Sequence, residues 1–148
     1  MEDLIGIDTN ILVYSLDPTC LEHTEAKKAL LSSERWAVNS TVAHECYHTL
    51  VFRRKISTID SKLKIVELLR DPRTSFLNLT KSVSMLALDL ATKMNLGGRD
   101  SLIIASYLYN RIPEIYSHDE ELVKLGKVSF KGRHIRIVDP LKADAVSQ

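Results

Sequence analysis

The sequence predicts an α/β/α sandwich, with a mainly parallel sheet of about five strands held between helical layers. Three observations lead there. Short apolar runs recur along the chain, segments with helical apolar spacing separate them, and one of those segments is apolar almost all round. Strands that alternate with helices build parallel sheets, and a helix with no polar face belongs inside. The 148 residues suit one domain spanning the whole chain, with 142–148 expected as a flexible polar tail.

Taken in order, Leu4–Ile7 reads as a buried strand that stops at Asp8. Ile11–Leu16 follows as a short helix ended by Asp17-Pro18, and Glu22–Leu31 as a second helix. Arg35–Asn39 is the next strand. Ser40–Phe52 has helical spacing through Val42, Ala43, Cys46, Tyr47 and Leu50. Another helix begins at Thr58 and ends before Asp71-Pro72. Phe76–Leu79 reads as a third strand, and Val83–Met94 as a helix broken by Asn95-Leu96-Gly97-Gly98. Asp100 then opens the all-apolar helix, Ile115-Tyr116 is a strand, and Ile135–Val138 is the last.

Composition narrows the function classes. Hydrophobic residues are 45% and charged residues 26%, which excludes general disorder, and a net charge of +1 gives no overall bias toward nucleic acid. Acidic and basic groups are still free to segregate on the surface. Cys20 and Cys46 form no C-x-x-C pair, which argues against a disulfide framework or a thiolate zinc site and suits a reducing cytoplasm. The start of the chain has no signal-peptide pattern, and no stretch has the length of a membrane span, so a soluble cytoplasmic protein is expected.

Four acids occupy related places. Asp8 and Asp119 each follow a strand, Asp100 opens the buried helix, and Glu45 lies in the helix after the second strand. Functional groups gather at the carboxyl ends of strands in open α/β sheets. Carboxylates brought together repel unless they share protons or bind a cation, and oxygen-only ligands select Mg²⁺ or Mn²⁺. Each acid also has an ordinary reading: Asp8, Asp100 and Asp119 as helix caps, Glu45 as a solvated face residue. Thr9 and Ser117 are candidates to support the carboxylates, and Asn10 to bond backbone at a turn.

The segment Ile7-Asp8-Thr9-Asn10-Ile11-Leu12 resembles the D-T-N opening of PIN domains. Ser40–Glu45 is similar to that family's second motif, Arg99–Ala105 to its third, and Ser117-His118-Asp119 to its fourth. Order and intervals fit from Leu4 to about Val138. Ser101, Ser117 and Leu122 depart from the usual alanine, threonine and aromatic, and none of these changes removes a carboxylate. The overall pattern looks most like VapC-type toxins of toxin–antitoxin pairs. The resemblance implies a metal-dependent endoribonuclease with Asp8, Glu45, Asp100 and Asp119 as catalytic and metal ligands, and one or two Mg²⁺ or Mn²⁺ ions. It also implies RNA as substrate, a homodimer and a protein antitoxin. Arg53, Arg54, Arg99 and Arg133 are weaker candidates for RNA contact.

Two rival readings stand beside it. His44-Glu45-Cys46-Tyr47-His48 is a literal H-E-x-x-H, which would make a zinc protease with Glu67 as third ligand. A non-catalytic PIN-like scaffold that binds RNA or a partner is the other. Trp36, Tyr47, Tyr107 and Tyr109 read as core or interface residues.

Overall fold

The computed structural model describes residues 4–142; the expected tail therefore falls, from 143 onward, outside the described residues. Along the chain run β1 (Leu4–Ile7), α1 (Thr9–Leu16), α2 (His23–Leu31), β2 (Arg35–Asn39), α3 (Ser40–Phe52), α4 (Thr58–Arg70) and β3 (Thr74–Leu77). They are followed by α5 (Lys81–Met94), α6 (Gly98–Tyr109), β4 (Glu114–Tyr116), α7 (Glu120–Leu125), β5 (Lys127–Phe130) and β6 (Arg133–Val138).

The sheet has six strands in the order β3-β2-β1-β4-β6-β5, parallel except for β5. The expected count of about five missed β5. That strand alternates polar and apolar residues and buries only Val128, so it carries no apolar run to read. It is joined to β6 by Lys131-Gly132, both at positive φ (52° and 79°), as a two-residue type I′ hairpin requires. β3 also lies two residues earlier than expected. Its start is polar: Thr74 accepts a bond from Trp36 Nε1 (2.7 Å) and donates one to Leu68 O (2.7 Å), so hydrogen bonding seats this edge strand.

Local signals explain most helix ends. Asn39 caps α3 by accepting from Val42 N (3.0 Å), and Thr80 caps α5 by accepting from Val83 N (3.2 Å). α5 stops at Asn95, which is left-handed (φ 56°), and Gly98 already belongs to α6. Asp100 is thus the third residue of that helix, not its opening residue.

The core lies on both faces of β1 and β2. Ile7, Ile11, Leu12, Val38 and Leu50 are fully buried, and so are Ile104 and Tyr107 of α6. α6 is buried nearly all round, as its sequence predicts. It lies against β1 at Gly6, where an added Cβ would stand 2.6 Å from the Tyr107 ring. The Tyr107 hydroxyl, within hydrogen-bond reach of Ile7 O (2.7 Å) and Ala37 O (3.0 Å), ties the helix to β1 and β2 at once. Among the described residues, no helix is long and apolar enough to cross a membrane.

Candidate active site

The strand order reverses between β1 and β4. From β1 the chain builds outward to β2 and β3, then crosses back to lay β4 on the other side. A crevice opens beyond the carboxyl ends of the strands at such a switch point. Asp8 follows β1 there, and Asp119 follows β4 after a short turn. α3 leaves β2 at the same edge with Glu45 in its second turn, and α6 brings Asp100. All four line one cleft of about 690 Å³, together with Thr9, Asn10, His44, His48, Arg53 and Arg99.

Hydrogen bonds among the motifs hold this arrangement. Asp8 Oδ1 accepts from Thr9 N (2.8 Å), and Asp8 Oδ2 accepts from Ser117 Oγ (2.6 Å). Ser117 Oγ in turn accepts from Asp119 N (3.1 Å), so a single hydroxyl sets both aspartates. Thr9 donates through Oγ1 to Glu45 Oε1 at 2.7 Å, joining the first motif to the second. Asn10 Oδ1 accepts from His118 N (3.2 Å), the backbone-bonding role expected of it.

The electrostatics are those of crowded acids. Burial is the main force that raises Asp8 from 3.8 to about 6, the bonds from Ser117 and Thr9 oppose it, and the charges of Asp100 and Asp119 add to it. Asp100 is also raised, first by burial and then by the charge of Asp119, with Arg99 pulling the other way. Arg99 Nη1 approaches Glu45 Oε2 to 2.7 Å. It does so outside hydrogen-bonding geometry, leaving that buried oxygen without a hydrogen-bond donor.

This site fits a hard divalent cation. The four acids offer only oxygen donors, Glu45 Oε2 is buried without a hydrogen-bond donor, and two acids are driven toward their protonated forms. Among the described residues, no three His, Cys, Asp or Glu side chains already close around a single point. The cleft therefore assembles the acids without wrapping them.

The ordinary readings of the acids divide. Asp119 does cap α7, accepting from Glu121 N (2.9 Å) and Leu122 N (3.2 Å), and both bonds fall on Oδ1. Asp8 also caps α1 while facing the cleft. Asp100 caps nothing, because α6 has Gly97 at its N-cap and no side-chain cap bond. Two of the four candidate arginines have partners away from the cleft: Arg54 pairs with the fully buried Asp17 (2.7 Å), and Arg133 lies over Tyr109, bonding its carbonyl. Only Arg53 and Arg99 line the cleft. The zinc triad is corrected as well. Glu67 lines a separate cavity with His23, Trp36 and Arg73, away from His44 and His48.

Sequence reasoning undervalued other residues. Asp139 accepts from Leu141 N (2.9 Å) as a turn residue does, and it also binds His118 Nδ1 (2.7 Å), steadying the turn that carries Asp119. Nothing local to either residue announces a pairing across 21 positions. His44 and His48, which flank Glu45 in sequence, line this cleft too, and their i, i+4 spacing puts both on one side of α3.

No curated protein sequence matches the chain. Among solved structures, VapC20 of Mycobacterium tuberculosis, described as a Sarcin-Ricin loop cleaving toxin, is similar with a TM-score of 0.72 at 14% identity, covering 87% of this chain and 98% of that one. A toxin–antitoxin complex from Klebsiella pneumoniae gives 0.65 at 17% identity, covering 92% and 97%. DNA-bound VapBC from Salmonella typhimurium gives 0.59 at 19% identity, again covering 92% and 97%. At such identities the likeness is one of fold. The PIN domain family model matches residues 5–128, most of the chain and all four acids, and the chain therefore belongs to the PIN domain family.

Proposed function

We propose that this protein is a divalent-metal-dependent endoribonuclease and the toxin of a toxin–antitoxin pair. The observation that carries the reading is the meeting of Asp8, Glu45, Asp100 and Asp119 in one switch-point cleft. These four would hold one or two Mg²⁺ or Mn²⁺ ions. When bound, such a cation neutralises phosphate charge, lowers the pKa of water and steadies the departing oxygen. The chain's own residues do the rest. Ser117 and Thr9 hold the carboxylates in place, and Arg53 and Arg99 supply positive charge to phosphates entering the cleft. In the reaction a water oxygen bonds to phosphorus, the bond from phosphorus to O3′ breaks, and the water's proton ends on that oxygen. The products carry 5′-phosphate and 3′-hydroxyl ends. RNA is supported by a structural relative described as cleaving the Sarcin-Ricin loop, and an antitoxin by relatives described as toxin–antitoxin complexes. Single-stranded loops, whose bases splay out, suit a cleft of this size.

An apolar groove of about 540 Å³ between α3 and α4, lined by Ala43, Tyr47, Ile59, Ile65 and Leu69, supports an antitoxin segment as partner. Exposed Met85 and Leu88 on α5 support a homodimer. One buried cluster running from Ile5 to Ile137 supports a single domain, and two buried free cysteines suit a reducing cytoplasm.

The test is cleavage of loop-containing RNA. Activity should require Mg²⁺ or Mn²⁺, stop in EDTA, and fall by orders of magnitude in Glu45→Gln, which keeps the volume and removes the charge. Binding of RNA without cleavage would favour a scaffold, and full activity in EDTA would overturn the oxygen-ligand site.

A further inference from the structure

Resting on the nuclease reading, we infer that the last two turns of α3 form a base-stacking subsite: the His48–Phe52 ring pair receives an unpaired base of the RNA, and Arg53 receives its phosphate. Glu45, His48, Thr49, Phe52 and Arg53 follow the i, i+3, i+4, i+7, i+8 spacing and share one side of the helix. Arg53 stands about 12 Å along the axis from Glu45, so the row leads away from the acids; Glu45, His48, Thr49 and Arg53 line the cleft, and Phe52 lies beside it against the ring of His48. A cleft of about 690 Å³ holds far more than metal ions and lies in the range of small-ligand sites.

The side chains along this row suit a nucleotide. Phe52 is 58% exposed, which leaves its ring open to a ligand. It lies 4.8 Å from the His48 ring at an interplanar angle of 40°, and His48 itself lines the cleft. Together the rings make an edge of apolar π surface beside polar walls (Thr41 and Thr49). Aromatic faces stack any base, which is how single-stranded nucleic acid is held without reading its sequence. Arg53 is the cation left over. Arg54 is engaged by Asp17 and Arg99 by Glu45, whereas Arg53 has no salt bridge among the described residues. A protein partner covering Phe52 is the competing occupant, and the test separates the two.

The experiment is a cycle between protein and RNA. A loop-containing RNA is made abasic at single positions flanking the cut, and wild type is compared with Phe52→Leu, which removes the ring and keeps an apolar side chain. At one position, the abasic change should raise wild-type KM roughly 5- to 100-fold, with little change in kcat. Phe52→Leu should raise KM on intact RNA by a similar factor and respond no further to the abasic change. Phe52→Trp should restore wild-type behaviour, and Arg53→Gln should raise KM and flatten its salt dependence. Independent, multiplying effects would overturn the subsite, and so would an unchanged KM in Phe52→Leu accompanied by a change of oligomeric state in light scattering. If wild type binds RNA without cutting it, the nuclease reading fails and the same cycle is read on Kd. If it neither binds nor cuts, both fail.

Discussion

Asp8 is the one acid of the four that is buried, and its titration reports on the cleft. Folding lifts its carboxyl from 3.8 to about 6, so the folded state favours the protonated form. The associated stability is fully present below about pH 3.8 and is lost as pH rises through about 6. At about 1.4 kcal/mol per unit, the loss is on the order of 3 kcal/mol. Urea unfolding in EDTA at pH 4 and pH 7 tests this: Asp8→Asn should gain relative to wild type at pH 7 and lose most of that gain at pH 4. Equal pH dependence in the two proteins would show that Asp8 is not held under this strain. The same proton competes with a cation, so Mn²⁺ affinity should climb as pH rises toward about 6. Asp119 shows a second residue-scale lesson. Its cap bonds use one oxygen, so a capping role and a cleft role coexist in a single side chain.

Among the elements, α6 has the most demanding placement, because it brings Asp100 to β1 and must cross the sheet closely. Gly6 makes the approach possible, with a Cβ there standing 2.6 to 2.9 Å from ring atoms of Tyr107. Gly6→Ala therefore overpacks the junction by roughly 1–3 kcal/mol, lowering the melting temperature by roughly 3–10 °C. Tyr107→Leu in the same chain should recover part of that loss by vacating the ring's space. A Gly6→Ala protein that melts like wild type would mean that α6 can shift without cost. The α6 apolar run was legible in the sequence, since its period is local, whereas the caps Asn39 and Thr80 emerged only with the structure. The position of β3 was not legible either, because Thr74 is seated by Trp36, 38 positions away.

For the molecule as a whole, the acids are, on the proposed reading, a liability until a cation arrives. A ligand that binds only the folded state adds about 2.7 kcal/mol at a hundredfold excess over Kd, so Mn²⁺ should raise the melting temperature by roughly 5–10 °C, in one transition if the chain is one domain. Asp100 makes no cap bond and sits beside Asp119, so Asp100→Asn should melt higher than wild type in EDTA and respond less to Mn²⁺. A lower metal-free melt with the full Mn²⁺ response would take Asp100 out of the site. The exposed apolar residues of α5 set the second expectation at this scale, a dimer in light scattering at micromolar concentration. A monomer there would overturn it.

By itself, the sequence determined the alternation of strand and helix, the burial of α6 and the order of four acids with Thr9 and Ser117 beside two of them. Those features arise from apolar period, turn chemistry and short motifs, which act over a few residues. Only the tertiary structure decided the rest: the hairpin strand β5, the loss of Arg54 to Asp17 and of Arg133 to Tyr109, and the removal of Glu67 to another cavity. It also decided that Asp8 and Ser117, 109 positions apart, share a hydrogen bond at the reversal of strand order. A side chain's partner is whichever group the packed core brings within reach, and no local pattern encodes that distance.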